Sequence, residues 1–269
     1  LYKWIAVLTG SKNALKGASF FLGGALLMVV GFAGAVGAMA AALSVVWIIS
    51  LIFLKKDLGR AKSKPKFSEV CSKSRAVNVL SAARLFLFGA RDVWFVVALP
   101  VFLASQFDWD HWQVGGFLAL WVIGYGAVQC VAPKITGRSG RGLPDGRTAF
   151  GWAAVLTVIP VLIALALWQG IAPGVSLVVG LLIFGVLFAV NSSLHSYLIV
   201  SYAKEDGVSL DVGFYYMANA MGRLVGTVLS GWVYQVAGLI ACLWISAAFL
   251  ALAAIIALWL PRRLVGESA

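Results

Sequence analysis

Long apolar stretches separated by short polar ones organise the whole chain. A run of about 20 apolar residues, at 1.5 Å per residue, is enough to cross a hydrocarbon core of ~30 Å. The first run reads from Trp4 to Phe32, but its uninterrupted part, Gly17 to Phe32, is too short to span alone, so the helix must reach back past Lys16. A second, Gly34 to Leu54, follows after almost no loop and predicts a tight helical hairpin. A third covers Ala76 to Gln106 and carries Arg84, Arg91 and Asp92 within it; the fourth is Trp112 to Ala132 and the fifth Thr148 to Trp168. The sixth, Val175 to Val200, ends in a polar stretch with Asn191, Ser192, Ser193, His195, Ser196 and Tyr197. The seventh, Asp211 to Val236, and the eighth, Gly238 to Leu260, are separated by little more than Ala237, and Pro261, Arg262 and Arg263 stop the last helix.

Composition fixes the solvent. With 62% hydrophobic and 12% charged residues, the chain has too little polar surface to cover a water-soluble domain, so lipid is its medium. The net charge of +11 would suggest nucleic-acid binding in a soluble protein, but here the cations cluster in loops and report topology instead. Eight Lys or Arg lie between 55 and 75, more between 133 and 147, and others in the tail, whereas the loops near 33, 108, 172 and 237 have none. Lys and Arg excess marks the cytoplasmic side, which predicts eight spans with both ends inside. The mixed-sign loop of Lys204, Glu205 and Asp206 fits that rule least clearly. The chain opens at Leu1 without methionine or a signal-peptide pattern, so further sequence is expected upstream.

Catalytic motifs do not emerge. There is no GxSxG, HExxH or phosphate-cradling glycine loop to support an enzyme, and no cofactor is expected. Cys71, Cys130 and Cys242 show neither a CxxC pair nor metal-ligand spacing and read as reduced, structural thiols.

The chemistry lies in the polar residues inside the spans, because an ionisable group at bilayer depth must face a cavity or a partner. Counted inward at ~1.5 Å per residue, Lys12, Lys16, Arg84, Arg91 and Arg223 fall roughly 12 to 22 Å deep and approach one layer. Lys12 and Lys16, Arg84 and Arg91, and Asn219 and Arg223 each share a helix face by spacing. Five cations against one acid, Asp92, argue for an anionic ligand with oxygens that Arg grips in bidentate fashion. The bland alternatives are that Arg91 and Asp92 pair with each other or with neighbours and that Lys12 snorkels to the interface. Asn191 and His195, four apart, either bind substrate or pack helices, and His195 or Asp92 could carry a coupling proton. Glycines at 31, 34, 37, 115, 116, 222 and 226 permit close helix contact or bending. Trp109, Trp112, Tyr202 and Trp259 suit interfacial belts, while Trp94, Trp121 and Tyr125 lie deeper and could line a cavity.

Tight hairpins around one long basic loop resemble the major facilitator superfamily, and Gly137, Arg138, Ser139, Gly140 and Arg141 look like a degenerate copy of its basic Gly-Arg loop motif. More specifically, LTGSKNALKG at 8–17, SKSRAVNVLSAARLFLFGARDVWFVV at 72–97 and GFYYMANAMGRLVGTVLSGW at 213–232 resemble the ArsJ-type organoarsenical efflux permeases of that superfamily. The resemblance implies an all-α polytopic membrane protein whose eight transmembrane helices correspond to helices five to twelve of twelve. Residues 1–54 would end the N-terminal half, 55–75 form the central cytoplasmic loop, and 76–269 form the C-terminal six-helix half. It implies export of 1-arseno-3-phosphoglycerate, made from arsenate by a functional partner, glyceraldehyde-3-phosphate dehydrogenase, across a bacterial inner membrane. That small anion agrees with the cation-rich layer, and a pentavalent arseno-ester needs no thiolate cluster. A permease for a sugar phosphate or drug, or a non-transporting membrane scaffold, are the competing readings.

Overall fold

The computed structural model describes residues 2–54, 72–137, 144–203 and 208–261. Among them every regular element is a helix: α1 (Tyr2–Phe53), α2 (Arg75–Phe95), α3 (Ala98–Gln106), α4 (His111–Gly137), α5 (Gly146–Trp168), α6 (Pro173–Tyr202) and α7 (Val208–Ala257). Six stretches of these helices are long and apolar enough to cross a membrane. The segments 55–71 and 138–143, the mixed-sign loop at Lys204 and the tail from Arg262 lie outside the described residues, and with them Cys71 and most of the Gly-Arg motif.

Eight predicted runs become seven helices because two pairs are joined without a loop and one run splits in two. α1 and α7 continue through single glycines, Gly31 at φ 68° and Gly238 at φ 75°, each with ψ near 180°. Only glycine enters that region freely. The two breaks differ in outcome. Beyond Gly238, Leu239, Cys242, Leu243 and Leu250 are buried, whereas beyond Gly31 positions 36–49 are exposed on every face. The first pair is therefore a kinked helix with an open second arm, not the packed hairpin expected.

Two other boundaries move. The third run breaks into α2 and α3 at Val96–Val97, where Pro100 brings no N–H and suits only a first helical turn. Ser230 of α7 repairs the break: its hydroxyl accepts the N–H of Val97 (3.3 Å) and of Ala98 (3.0 Å). The fourth helix runs through Pro133 to Gly137 instead of ending at Ala132. Its start is set by a reciprocal cap, in which Gln113 N–H donates to Asp110 (2.7 Å) and Asp110 N–H donates to the Gln113 side chain (2.9 Å). Asp145 caps α5 by accepting from Thr148 N–H at 3.0 Å, and Pro173 opens α6.

α2 packs along α7 and α1 along α4, while α5 lies against α6 and α7. Both main seams rest on glycine. A Cβ at Gly222 or Gly226 would meet the backbone of Leu85 or Gly89, and one at Gly10 or Gly126 would strike the opposite helix across the α1–α4 seam. Small residues let backbones touch in this way. Below the seams Trp94, Trp121, Phe184 and Phe188 form an aromatic core, with Trp94 edge-on to Phe184 at 5.0 Å and the Trp121 indole N–H donating to Leu181 O at 2.8 Å.

Candidate functional site

A cavity of about 570 Å³ opens between α1, α2, α4, α6 and α7. Lys12, Lys16, Arg84, Arg91, Asn219 and Arg223 all line it, so three helix faces that the spacing predicted separately do converge. Asp92, fully buried, sits directly behind two of them.

Each helix delivers its group for a local reason. On α2, Arg84, Phe88 and Arg91 are four and three residues apart and share one face. The Arg84 guanidinium lies 3.9 Å from the Phe88 ring centroid and that of Arg91 5.1 Å from the same ring. The two guanidinium carbons are thus at most roughly 9 Å apart, the two distances laid end to end, close to the ~10 Å helical rise between their positions. Phe88 is an apolar divider that also attracts both cations through its ring face.

Arg84 is only 4% exposed. Its Nε donates to Asn219 Oδ1 (3.1 Å), and one Nη donates to the carbonyl (3.2 Å) and hydroxyl (3.4 Å) of Ser192. All three acceptors are neutral, and among the described residues Arg84 has no ion pair. Arg91 and Arg223 differ: both are ion-paired to Asp92. A buried charge without a counter-ion is costly, and an anion in the cavity would relieve it.

The opposite wall comes from α1 and α4. Asn13 donates to Gln129 (2.6 Å), and Gln129 donates to the Tyr125 hydroxyl (2.9 Å). Trp121 and Tyr125 stack within 2° of parallel and face the cavity. Lys12 and Lys16 are exposed on the same face of α1. Of the deep aromatics, Trp94 belongs instead to the core.

Asn191 and His195 are not among the lining residues. Asn191 donates to Trp152 O and Leu187 O, both at 3.0 Å, and ties α6 to α5. His195 is 2% exposed, with Nδ1 unpartnered. Their turn of α6 reaches the cavity through Ser192 and Ser196 instead. Asn13, Phe88 and Tyr216 are lining residues that the charge pattern did not single out. Asn13 had a signal, since it lies three residues before Lys16 on the same face.

Comparison with known proteins agrees with this architecture. Residues 80–268 match the family model for the Major Facilitator Superfamily. A search of curated proteins finds no match. Among solved structures, the chain resembles a bacterial homologue of the iron transporter ferroportin in its outward-facing state, with a TM-score of 0.66 at 13% identity. The overlay covers 96% of this chain and 64% of that one, so the chain spans under two thirds of its structural relative and shares its fold. On the strength of the family match, the chain belongs to the Major Facilitator Superfamily and has the major facilitator fold.

Proposed function

We propose that this transporter exports a small organic anion by alternating access, and that the anion is 1-arseno-3-phosphoglycerate, giving resistance to arsenate. The observation that carries the reading is the cavity lined by Lys12, Lys16, Arg84, Arg91 and Arg223, of which, among the described residues, only Arg91 and Arg223 pair with a carboxylate, that of Asp92. Arg84 supports it most directly, as a buried cation bonded, among the described residues, only to neutral acceptors. Such a fork suits phosphoryl and arsenyl oxygens. Cys130 and Cys242 are free thiols on different helices, and neither lines the cavity. The ligand would be gripped through oxygen, without thiolates.

The remaining assignments belong to the same proposal. The protein would sit in a bacterial inner membrane with its C-terminus in the cytoplasm, residues 76–269 forming one six-helix half and 1–54 the end of the other. Glyceraldehyde-3-phosphate dehydrogenase would supply the cargo without needing to bind the carrier. One rival has an observation in its favour: the wall of Phe88, Trp121 and Tyr125 would also suit the apolar face of a phosphorylated sugar.

Everted membrane vesicles containing the protein, supplied with glyceraldehyde-3-phosphate dehydrogenase, glyceraldehyde 3-phosphate, NAD and arsenate, should accumulate arsenic faster than vesicles without it. Equal accumulation would refute the cargo. Accumulation of a labelled sugar phosphate in its place would select the rival.

A further inference from the structure

Asp92 is completely buried on α2, and both of its carboxylate oxygens are engaged by arginines that line the cavity. Oδ1 accepts from Arg91 Nε at 2.6 Å and pairs with its Nη2 at 2.5 Å, while Oδ2 accepts from Arg223 Nε at 2.9 Å across the helix interface. A carboxyl that accepts donors on both oxygens is bonded as the carboxylate. The bonds take the Nε–Nη2 edge of the Arg91 guanidinium and the Nε of Arg223. Among the described residues, Arg223 is engaged through Nε alone, and its side chain is 48% exposed.

We propose that Asp92 is a positioning residue of the anion site, holding the inner edges of Arg91 and Arg223 so that their remaining N–H groups point at the ligand. This rests on the anion reading of the same cavity. A flexible arginine loses side-chain entropy when it binds, and one already held by a buried carboxylate loses less. Asp92 also lowers the charge of the pair from two to one, which keeps two neighbouring guanidiniums from repelling each other.

The helix crossing is built for this bridge. Gly89 and Asp92 are three apart on α2, and Arg223 and Gly226 three apart on α7, so each pair shares a face. A Cβ at Gly226 would stand 2.6 Å from Gly89 O and 3.0 Å from Asp92 Cβ. The backbones therefore meet at the point where Asp92 reaches across to Arg223. Arg84 stands apart, held by neutral groups.

The test uses the purified full chain with 3-phosphoglycerate as probe, by titration calorimetry and by transport. Asp92→Asn should weaken binding and raise KM by about tenfold or more, the scale of a charge-assisted hydrogen bond, with Vmax changed less. Asp92→Glu should recover part of the loss, and Asp92→Asn combined with Arg223→Gln should be no worse than either single change. Binding by Asp92→Asn within about twofold of wild type would overturn the proposal, as would strictly multiplicative single effects. If wild-type protein binds no phosphorylated three-carbon anion, the anion reading fails by itself. A ligand-free melting cycle on the same four proteins then judges the bridge: coupled shifts support it and additive shifts overturn it.

Discussion

The Arg84 guanidinium carbon lies 3.9 Å from the centroid of the Phe88 ring and forms no ion pair among the described residues. Ring, Asn219 and Ser192 together fix a planar cation at the edge of the cavity. Lysine keeps the charge but loses the fork and the stacking. Arg84→Lys should therefore lower transport of a phosphorylated three-carbon anion by about tenfold or more, since a charged hydrogen bond contributes ~1.5–3 kcal/mol. Vesicle uptake at several substrate concentrations checks it; wild-type uptake would remove Arg84 from the site.

The glycine seam between α2 and α7 should tolerate no methyl group at its closest point. A Cβ at Gly222 would run into the Leu85 carbonyl, which is backbone and cannot rotate away. Gly231, on the same helix, has open space around it. Gly222→Ala should cost ~1–3 kcal/mol through overpacking, whereas Gly231→Ala should leave melting in detergent unchanged or slightly raised. Equal melting temperatures for the two variants would show that the seam is looser than the atoms suggest.

Much of this arrangement was legible in the sequence, and the reasons are physical. Span positions follow from apolar length, which lipid imposes almost without exception. The cavity followed from charge spacing, because Lys12 with Lys16, and Asn219 with Arg223, each occupy one face of a regular helix. What stayed hidden depends on contacts between helices. Ser230 lies 133 and 132 residues beyond the two backbone groups it caps, and nothing near Val97 announces it. Asn191 and His195 look polar enough for a site, yet rotation of α6 turns Ser192 and Ser196 to the cavity and those two away. The packing of a loopless pair is also invisible locally, as Gly31 and Gly238 share nearly the same backbone angles but only the second leads into a buried arm.

His195 provides a contrast that separates cavity from core. It lies outside the lining residues and buried in α6. His195→Gln, close in size and still polar, should leave KM for the anion within about twofold, since no bond to the ligand is lost. Asn191→Ala should act on stability, because it removes the hydrogen bond that ties α6 to the Trp152 carbonyl of α5, at a cost of ~0.5–1.5 kcal/mol. Uptake kinetics and thermal melting on both variants check this. A tenfold rise in KM for His195→Gln would place the histidine in the transport site after all.

The break between α2 and α3 depends on a side chain of α7. Val97 and Ala98 begin that helix without a side-chain cap of their own, and their N–H groups converge on the hydroxyl of Ser230. Ser230 is completely buried, so water is poorly placed to replace the bond. Ser230→Ala leaves two donors unsatisfied and should cost ~1–3 kcal/mol, and Ser230→Thr, which keeps the hydroxyl, should lose less if its extra methyl fits. The effect should also be local. Hydrogen exchange would rise at Val97, Ala98 and the first turn of α3 well before it rises in α7, because among the described residues these two amides have no other acceptor. Uniform exchange across α3 and α7 would mean that Ser230 serves general helix packing, and that Pro100 alone sets the break.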